Sequence, residues 1–216
     1  MIKYGQPRPQ FQRPLAKAIL CAALLTSLSG CVEMMVGGAV MGAVATADRR
    51  TLGAQTEDKT ITVKAELRVP NIAGPDAHVN IASFNRKVLL TGEVMDAALK
   101  SKVEAEVRAI DGVQSVANEI EIGAPASYTS RSSDALITTK VKASLVDMKT
   151  ISATSFKVVT ERGTVYLMGR VTQREGQIAS DIARGVSGVV KVVKIFEYIT
   201  EEELRAMQPT SSRVPL

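Results

Sequence analysis

Two stretches of this 216-residue chain carry one pattern, SFNRKVLLTGEV at residues 83–94 and VTERGTVYLMGRV at residues 159–171. In both, a polar turn separates two runs of alternating apolar residues, and the second run passes through a glycine, Gly92 or Gly169. Alternation with a period of two predicts strands, and a short polar turn between two such runs predicts a β-hairpin. The chain therefore contains two copies of one hairpin.

The repeat extends on both sides of the hairpins. Downstream, IDGVQSV at residues 110–116 corresponds to VSGVVKV at residues 186–192. Upstream, VKAEL at residues 63–67 corresponds to VKASL at residues 141–145. The offset stays between 76 and 78 residues at all three landmarks, which predicts two domains built from one repeated unit.

Each unit predicts the element order αββαβ. The second helix begins at Asp96 in the first unit and at a capping box, Thr172 with Glu175, in the second. Gly112 and Gly188 stop these helices, since the residue past a helix end favours a left-handed conformation. A last strand closes each unit, over residues 116–122 and 189–199. The predicted fold class is α+β, two tandem units in which helices pack a small sheet.

The N-terminus carries a lipoprotein signal, because LSGC at residues 28–31 follows four basic residues and an apolar run over residues 18–28. At ~1.5 Å per residue that run spans roughly 16 Å, too short for a hydrocarbon core of ~30 Å. Resemblance to bacterial lipoproteins implies cleavage before Cys31 and acylation of its thiol and new amino group. Val32 in place of Asp implies delivery to the outer membrane. The alternative is an ordinary secretory signal that ends near a cysteine.

The repeated unit resembles the BON domain in its hairpin with Gly92 or Gly169, its following helix and its Gly-Val-x-x-Val closure. Two such units behind a lipobox resemble the dual BON-domain outer-membrane lipoproteins. The resemblance extends to residues 48–58 and 117–120. It implies that each domain is a three-stranded mixed sheet packed by two helices, and that the second domain contacts anionic phospholipid.

We predict an organisation in six segments. These are a signal peptide at residues 1–30, a lipidated tether at 31–56, a first domain at 57–123, a linker at 124–132, a second domain at 133–200 and a disordered tail at 201–216.

Charge distinguishes the two domains. Without the signal peptide the chain holds 23 basic and 22 acidic residues, so overall charge gives no support for nucleic-acid binding. Residues 57–123 carry a net charge of −3, whereas residues 130–200 carry +5. The second domain is therefore the candidate for binding anions.

The first helix of the second domain, which we expect to begin after Ser133 or Asp134, has two faces. Ile137, Val141 and Leu145 form the predicted core stripe. The opposite side predicts a membrane-contacting face, in which apolar side chains enter the interface and lysines reach phosphates. Its candidate phospholipid-binding residues are Leu136, Thr139, Lys140, Lys142, Ala143, Val146 and Lys149.

The corresponding helix of the first domain is less suited to membrane contact. It is expected to place Ile61, Ala65 and Arg68 on that face, with the acidic residues Asp58 and Glu66 nearby.

The sequence gives little support for an enzyme. It contains neither a nucleophile motif, a glycine-rich phosphate loop nor a metal-ligand cluster, and the single histidine, His78, is expected to be structural or solvated. We expect no cofactor and no metal. The resemblance implies a periplasm-facing outer-membrane lipoprotein that binds phosphatidylglycerol-like lipid through its second domain and supports envelope integrity. The alternative is a protein-interaction module that docks on an envelope assembly machine or another lipoprotein.

Overall fold

A computed structural model of the chain describes residues 48–207. The expected signal peptide, the expected lipidation site Cys31 and residues 208–216 lie outside the described residues. Between residues 48 and 207, no helix combines the length and the apolar composition needed to cross a bilayer.

The described chain has the predicted order αββαβ twice, followed by a short helix. The first domain comprises α1 (Leu52–Ala73), β1 (His78–Phe84), β2 (Lys87–Val94), α2 (Ala97–Arg108), β3 (Ser115–Asn118) and β4 (Glu121–Ile122). The second comprises α3 (Tyr128–Asp147), a 3-10 turn (Ala153–Ser155), β5 (Phe156–Glu161), β6 (Thr164–Val171), α4 (Gln173–Arg184) and β7 (Lys191–Tyr198), and α5 (Glu201–Met207) follows.

Both domains form a mixed sheet around a central strand. In the first, β2 pairs antiparallel with β1 and parallel with both β3 and β4. In the second, β6 pairs antiparallel with β5 and parallel with β7. The α+β fold class predicted from the repeat is confirmed, as are the Asp96 cap and the Thr172–Glu175 capping box.

The closing strand of the first domain is interrupted, where one continuous strand over residues 116–122 was expected. The Asn118 side chain accepts a hydrogen bond from the Ile120 N–H and donates to the Lys100 carbonyl and to Glu104. This local bond competes with the strand ladder. Ile120 is consequently buried in the core, and pairing with β2 resumes at β4.

The first helix of each domain begins earlier than expected. Thr51 caps α1, so the helix starts within the stretch expected to be tether. Ser127 caps α3 by accepting from the Ser130 N–H, so most of the expected linker is helical and neither Ser133 nor Asp134 is the cap. Asp134 instead points inward and is buried.

The tail is helical at its start, where disorder was expected. Thr200 and Glu203 form a reciprocal capping pair, in which each side chain accepts from the other's backbone N–H. Leu204 of α5 is buried. The pattern Thr-x-x-Glu was therefore a sequence signal that the expectation of disorder overlooked.

The two first helices bury equivalent positions 76 residues apart. The buried sets are Ile61, Ala65 and Val69 in α1 and Ile137, Val141 and Leu145 in α3. The predicted core stripe of α3 is confirmed. The upstream landmark, which aligned residues 63–67 with 141–145, is wrong by two positions. Two residues correspond to a rotation of about 200°, so this error exchanges the buried and exposed faces of α1.

An aspartate of the first helix holds the hairpin turn of each domain. Both residues of each two-residue turn have positive φ, as a type I′ hairpin requires. Each carboxylate accepts hydrogen bonds from the backbone N–H groups of both turn residues: Asp58 from Asn85 and Arg86, Asp134 from Arg162 and Gly163.

The sheet faces that the helices leave uncovered contact one another. They form a shared apolar cluster whose buried members are Ala82, Phe84, Leu89, Tyr166 and Met168. Polar bonds surround it, including Asn85 Nδ2 to Glu197 Oε2 at 2.6 Å and Lys157 Nζ to the Ser83 carbonyl at 3.1 Å. The two domains therefore form one body through their sheets and direct their first helices outward.

Candidate functional site

The structure exposes all seven predicted phospholipid-binding residues, six of them on α3 and one directly after it. Leu136, Thr139, Lys140, Lys142, Ala143 and Val146 are exposed on α3, and Lys149 is exposed just after it. This face exists because the opposite side of α3 packs into the core of the second domain.

Two large apolar side chains on this face are exposed to solvent. Leu136 is 63% exposed and Val146 is 68% exposed. With 100° per residue, Thr139 and Ala143 lie between them, so small side chains separate the two apolar groups. The result is a shallow apolar stripe along α3.

Lysines border the stripe on both sides. Lys140 and Lys142 fall on opposite flanks, and Lys149 follows the C-terminal end of α3. None of the three forms an ion pair with an acidic side chain in the described part of the chain, although the exposed Asp147 is a near neighbour in sequence. Their ammonium groups are therefore available to an external anion.

The early start of α3 adds an aromatic residue that the sequence analysis missed. Tyr128 lies 18 residues before Val146, five full turns, so both share one angle on the helix about 27 Å apart. The Tyr128 ring is 85% exposed, with the Arg131 guanidinium 5.3 Å from its centroid. An exposed aromatic beside a cation suits the head-group region of a membrane. The overlooked signal was the Ser127 cap.

The corresponding face of the first domain differs from the expectation. Ile61 and Ala65 are fully buried, and Arg68 pairs with Glu106 at 3.2 Å. Leu52 is exposed in the first turn of α1, and the apolar residues exposed on the face equivalent to that of α3 are Val63 and Leu67. These follow from the 76-residue offset, which relates them to Thr139 and Ala143.

A buried polar cluster links the domains beside the apolar interface. The Nδ1 atom of His78 and the carboxylates of Glu93 and Glu161 bring one nitrogen and two oxygens within 4.8 Å of one another. Within residues 48–207 these three form the one group that could supply metal ligands.

The carboxylates of this cluster already have partners across the interface. Glu93, fully buried, accepts from the Arg162 Nε and from the Ala126 N–H, and Glu161 accepts from the Asn80 side chain at 2.6 Å. We interpret the cluster as a domain link, since Arg162 already balances the charge of Glu93.

Replacing Glu161 with glutamine is expected to stabilise the protein at neutral pH. Burial raises the pKa of Glu161, with Glu93 and Asp134 adding to the effect and Asn80 and His78 opposing it. Because the pKa of Glu161 is raised in the folded state, the stability that the protonated carboxyl group contributes is lost as the pH rises through that pKa. Glutamine keeps an oxygen acceptor for Asn80 without the charge. A gain of about 1 kcal/mol would raise Tm by roughly 2–4 °C at pH 7.5.

Thermal melts from pH 4 to pH 8 test this expectation. The advantage of Glu161→Gln should disappear below the ordinary carboxyl pKa of about 4.3, where both side chains are neutral. Glu93→Gln is the matched control and should destabilise, because it removes the charge that Arg162 pairs with. Equal or lower stability of Glu161→Gln at every pH would contradict the burial argument.

Comparisons with known proteins agree with the repeat. The sequence profile of the BON domain matches residues 58–124 and 133–200. The Outer membrane lipoprotein DolP of Haemophilus influenzae (strain ATCC 51907 / DSM 11121 / KW20 / Rd) is 36% identical over 188 residues, 86% of this chain and 97% of DolP. The 21 kDa hemolysin of Actinobacillus pleuropneumoniae is 30% identical over 154 residues, 70% of this chain and 79% of the hemolysin.

A solved structure of CdsD, a structural protein of the type III secretion system of Chlamydia trachomatis, also aligns. It covers 70% of this chain and 99% of CdsD at 12% identity, with a TM-score of 0.29. A likeness at this level carries no argument about fold or function.

Proposed function

The chain belongs to the family of outer-membrane lipoproteins with two BON domains, and we propose that it binds anionic phospholipid at the periplasmic face of that membrane. The binding surface is the exposed face of α3, and the binding supports envelope integrity. The observation that carries the proposal is the exposed stripe of Leu136 and Val146, bordered by Lys140 and Lys142.

The expected binding free energy of the α3 face is sufficient for a protein that is tethered to the membrane. Each lysine near an anionic surface contributes roughly 1 kcal/mol, and apolar side chains add about 25 cal/mol per Å² that they bury. These terms alone give modest affinity. An acyl anchor at Cys31 would hold the domain at a high effective concentration near head groups, where modest affinity is sufficient.

Vesicle flotation of residues 32–216 without acyl chains tests the proposal. The parent protein should float with vesicles containing phosphatidylglycerol and not with neutral vesicles, and added salt should weaken binding because it screens exposed charges. Flotation that is independent of lipid composition would contradict it. Protein capture by the same face, as on an envelope assembly machine or another lipoprotein, would give that result.

Reversing the two flanking lysines, Lys140→Glu with Lys142→Glu, is expected to lower vesicle affinity at least tenfold without loss of Tm. Two lysines at about 1 kcal/mol each account for that factor, and reversal adds repulsion. The matched control is Lys102→Glu with Lys191→Glu, which changes net charge equally at exposed positions elsewhere. Similar losses in the two double variants would show that total charge, rather than the α3 face, attracts lipid.

A second variant tests the apolar half of the face. Leu136→Asp should weaken flotation yet change the free energy of unfolding by no more than about 0.5 kcal/mol, because the site is exposed. Normal flotation of a folded Leu136→Asp would place the membrane contact elsewhere on the protein.

A further inference from the structure

A basic groove lies between the two domains, beside the α3 face. It runs between α1 of the first domain and β5 of the second and has a volume of about 590 Å³. This volume falls within the roughly 300–1,000 Å³ of small-molecule sites. Four cationic residues line it, Arg50, Lys59, Lys142 and Lys157.

One of these cations is already neutralised. Arg50 pairs with Asp48 at 2.7 Å and with Asp58 at 2.8 Å, and its guanidinium lies 4.3 Å from the centroid of the Phe84 ring. Asp58 is the acidic residue of the lining, and both of its oxygens accept hydrogen bonds within the first domain. The acidic groups of the groove are therefore already in use by Arg50 and the hairpin turn.

The other cations lack counter-ions. The Nζ atom of Lys157 donates to the Ser83 carbonyl, a neutral acceptor. Burial lowers the pKa of Lys157, and the charges of Arg50 and Lys142 lower it further, although Asp58 and Glu66 oppose them. Lys59 and Lys142 form no ion pair among the described residues. A half-buried ammonium group between two further cations is stabilised when an anion binds.

We propose that this groove binds the phosphate group of a phospholipid headgroup, with Lys157 at its base and Lys59 and Lys142 at its rim. Phosphate suits the site because its oxygens accept from several ammonium groups at once. Val63, an exposed residue of α1 that lines the groove, supplies apolar surface for the carbon atoms next to the phosphate.

The position of Lys142 connects this inference to the proposed function, on which it rests. Lys142 lines the groove and also borders the apolar stripe of α3. A lipid whose chains lie under α3 could therefore place its phosphate in the groove. The consequence is that α1 of the first domain takes part in recognition through Lys59, so the site requires both domains.

Titration of the mature chain with short-chain phosphatidylglycerol below its micelle concentration tests the groove without a membrane surface. Lys157→Met should lower affinity at least tenfold with Tm unchanged or raised, since the variant removes a desolvated charge. Lys59→Gln, at an exposed position, should lower affinity several-fold. Lys191→Met, an exposed lysine of the same domain outside the groove, should bind as the parent does.

Four outcomes are decisive. If Lys157→Met, Lys59→Gln and Lys191→Met all bind short-chain phosphatidylglycerol with equal affinity, the proposal that the groove binds phosphate is wrong. Equal affinity of the parent for inorganic phosphate and for the lipid would overturn the assignment of a lipid headgroup. If Leu136→Asp abolishes vesicle flotation while it keeps short-chain lipid affinity, the groove is supported apart from the α3 face. Failure of the parent to float, with intact short-chain binding, would contradict the proposed function alone.

Discussion

Replacing Cys31 with serine is expected to abolish acylation and to leave a soluble or signal-retaining precursor. A serine hydroxyl cannot form the thioether that holds diacylglycerol. A single acyl chain already gives only marginal binding, with a constant of about 10⁴ M⁻¹. A cleaved form without any acyl chain would have only the modest affinity of the α3 face to hold it at the membrane.

Palmitate labelling followed by membrane fractionation measures the effect. The matched control is Cys21→Ser, which changes the other cysteine of the chain, inside the predicted signal peptide, and should be acylated normally. Label on Cys31→Ser at the level of the parent protein would refute the lipobox and favour an ordinary secretory signal.

The fold was predictable because the repeat gives each element twice. The Asp96 cap and the Thr172–Glu175 capping box are local signals, and the structure forms both caps. Gly92 and Gly169 lie where a Cβ atom would collide with a carbonyl oxygen of the neighbouring segment. Errors arose where a local pattern was read in the wrong register. The VKA-x-L motif of α1 suggested the 78-residue offset, whereas packing of Ile61 in the core follows an offset of 76.

Part of the candidate site could likewise be predicted from the sequence, and part could not. Exposure of Leu136 and Val146 followed from helical periodicity alone, which any helix with a single buried stripe obeys. The groove could not be predicted from periodicity, because Lys59 and Lys157 belong to different domains and come together only where the two sheets pack against each other. Such long-range contacts leave no periodic trace in a single sequence.

Truncation of Asp58 to alanine is expected to cost about 3–5 kcal/mol, the typical loss when one partner of a buried ion pair is removed. The change leaves Arg50 without one of its counter-ions. It also leaves the Ser83 hydroxyl and the two N–H groups of the turn without their hydrogen-bond acceptor. In a protein of this size the loss should lower Tm by roughly 6–20 °C. Differential scanning calorimetry measures it.

The equivalent change in the second domain, Asp134→Ala, should cost less, about 1–3 kcal/mol, because Asp134 bonds two backbone N–H groups and no cation. The exposed Asp147 of the same helix provides the control, and Asp147→Ala should melt with the parent. A larger loss for Asp134→Ala than for Asp58→Ala would contradict the ranking.

A turn substitution tests whether Asp58 acts by holding left-handed backbone. Arg86 has φ of 65°, a conformation that costs a residue with a Cβ atom roughly 1–2 kcal/mol, whereas the equivalent position of the second hairpin is already glycine. Arg86→Gly should therefore recover about 1 kcal/mol in the Asp58→Ala background, even though it breaks the Arg86 pair with Glu57. If the double variant is no more stable than Asp58→Ala, the loss comes from the Arg50 ion pair, and the turn needs no aspartate to close.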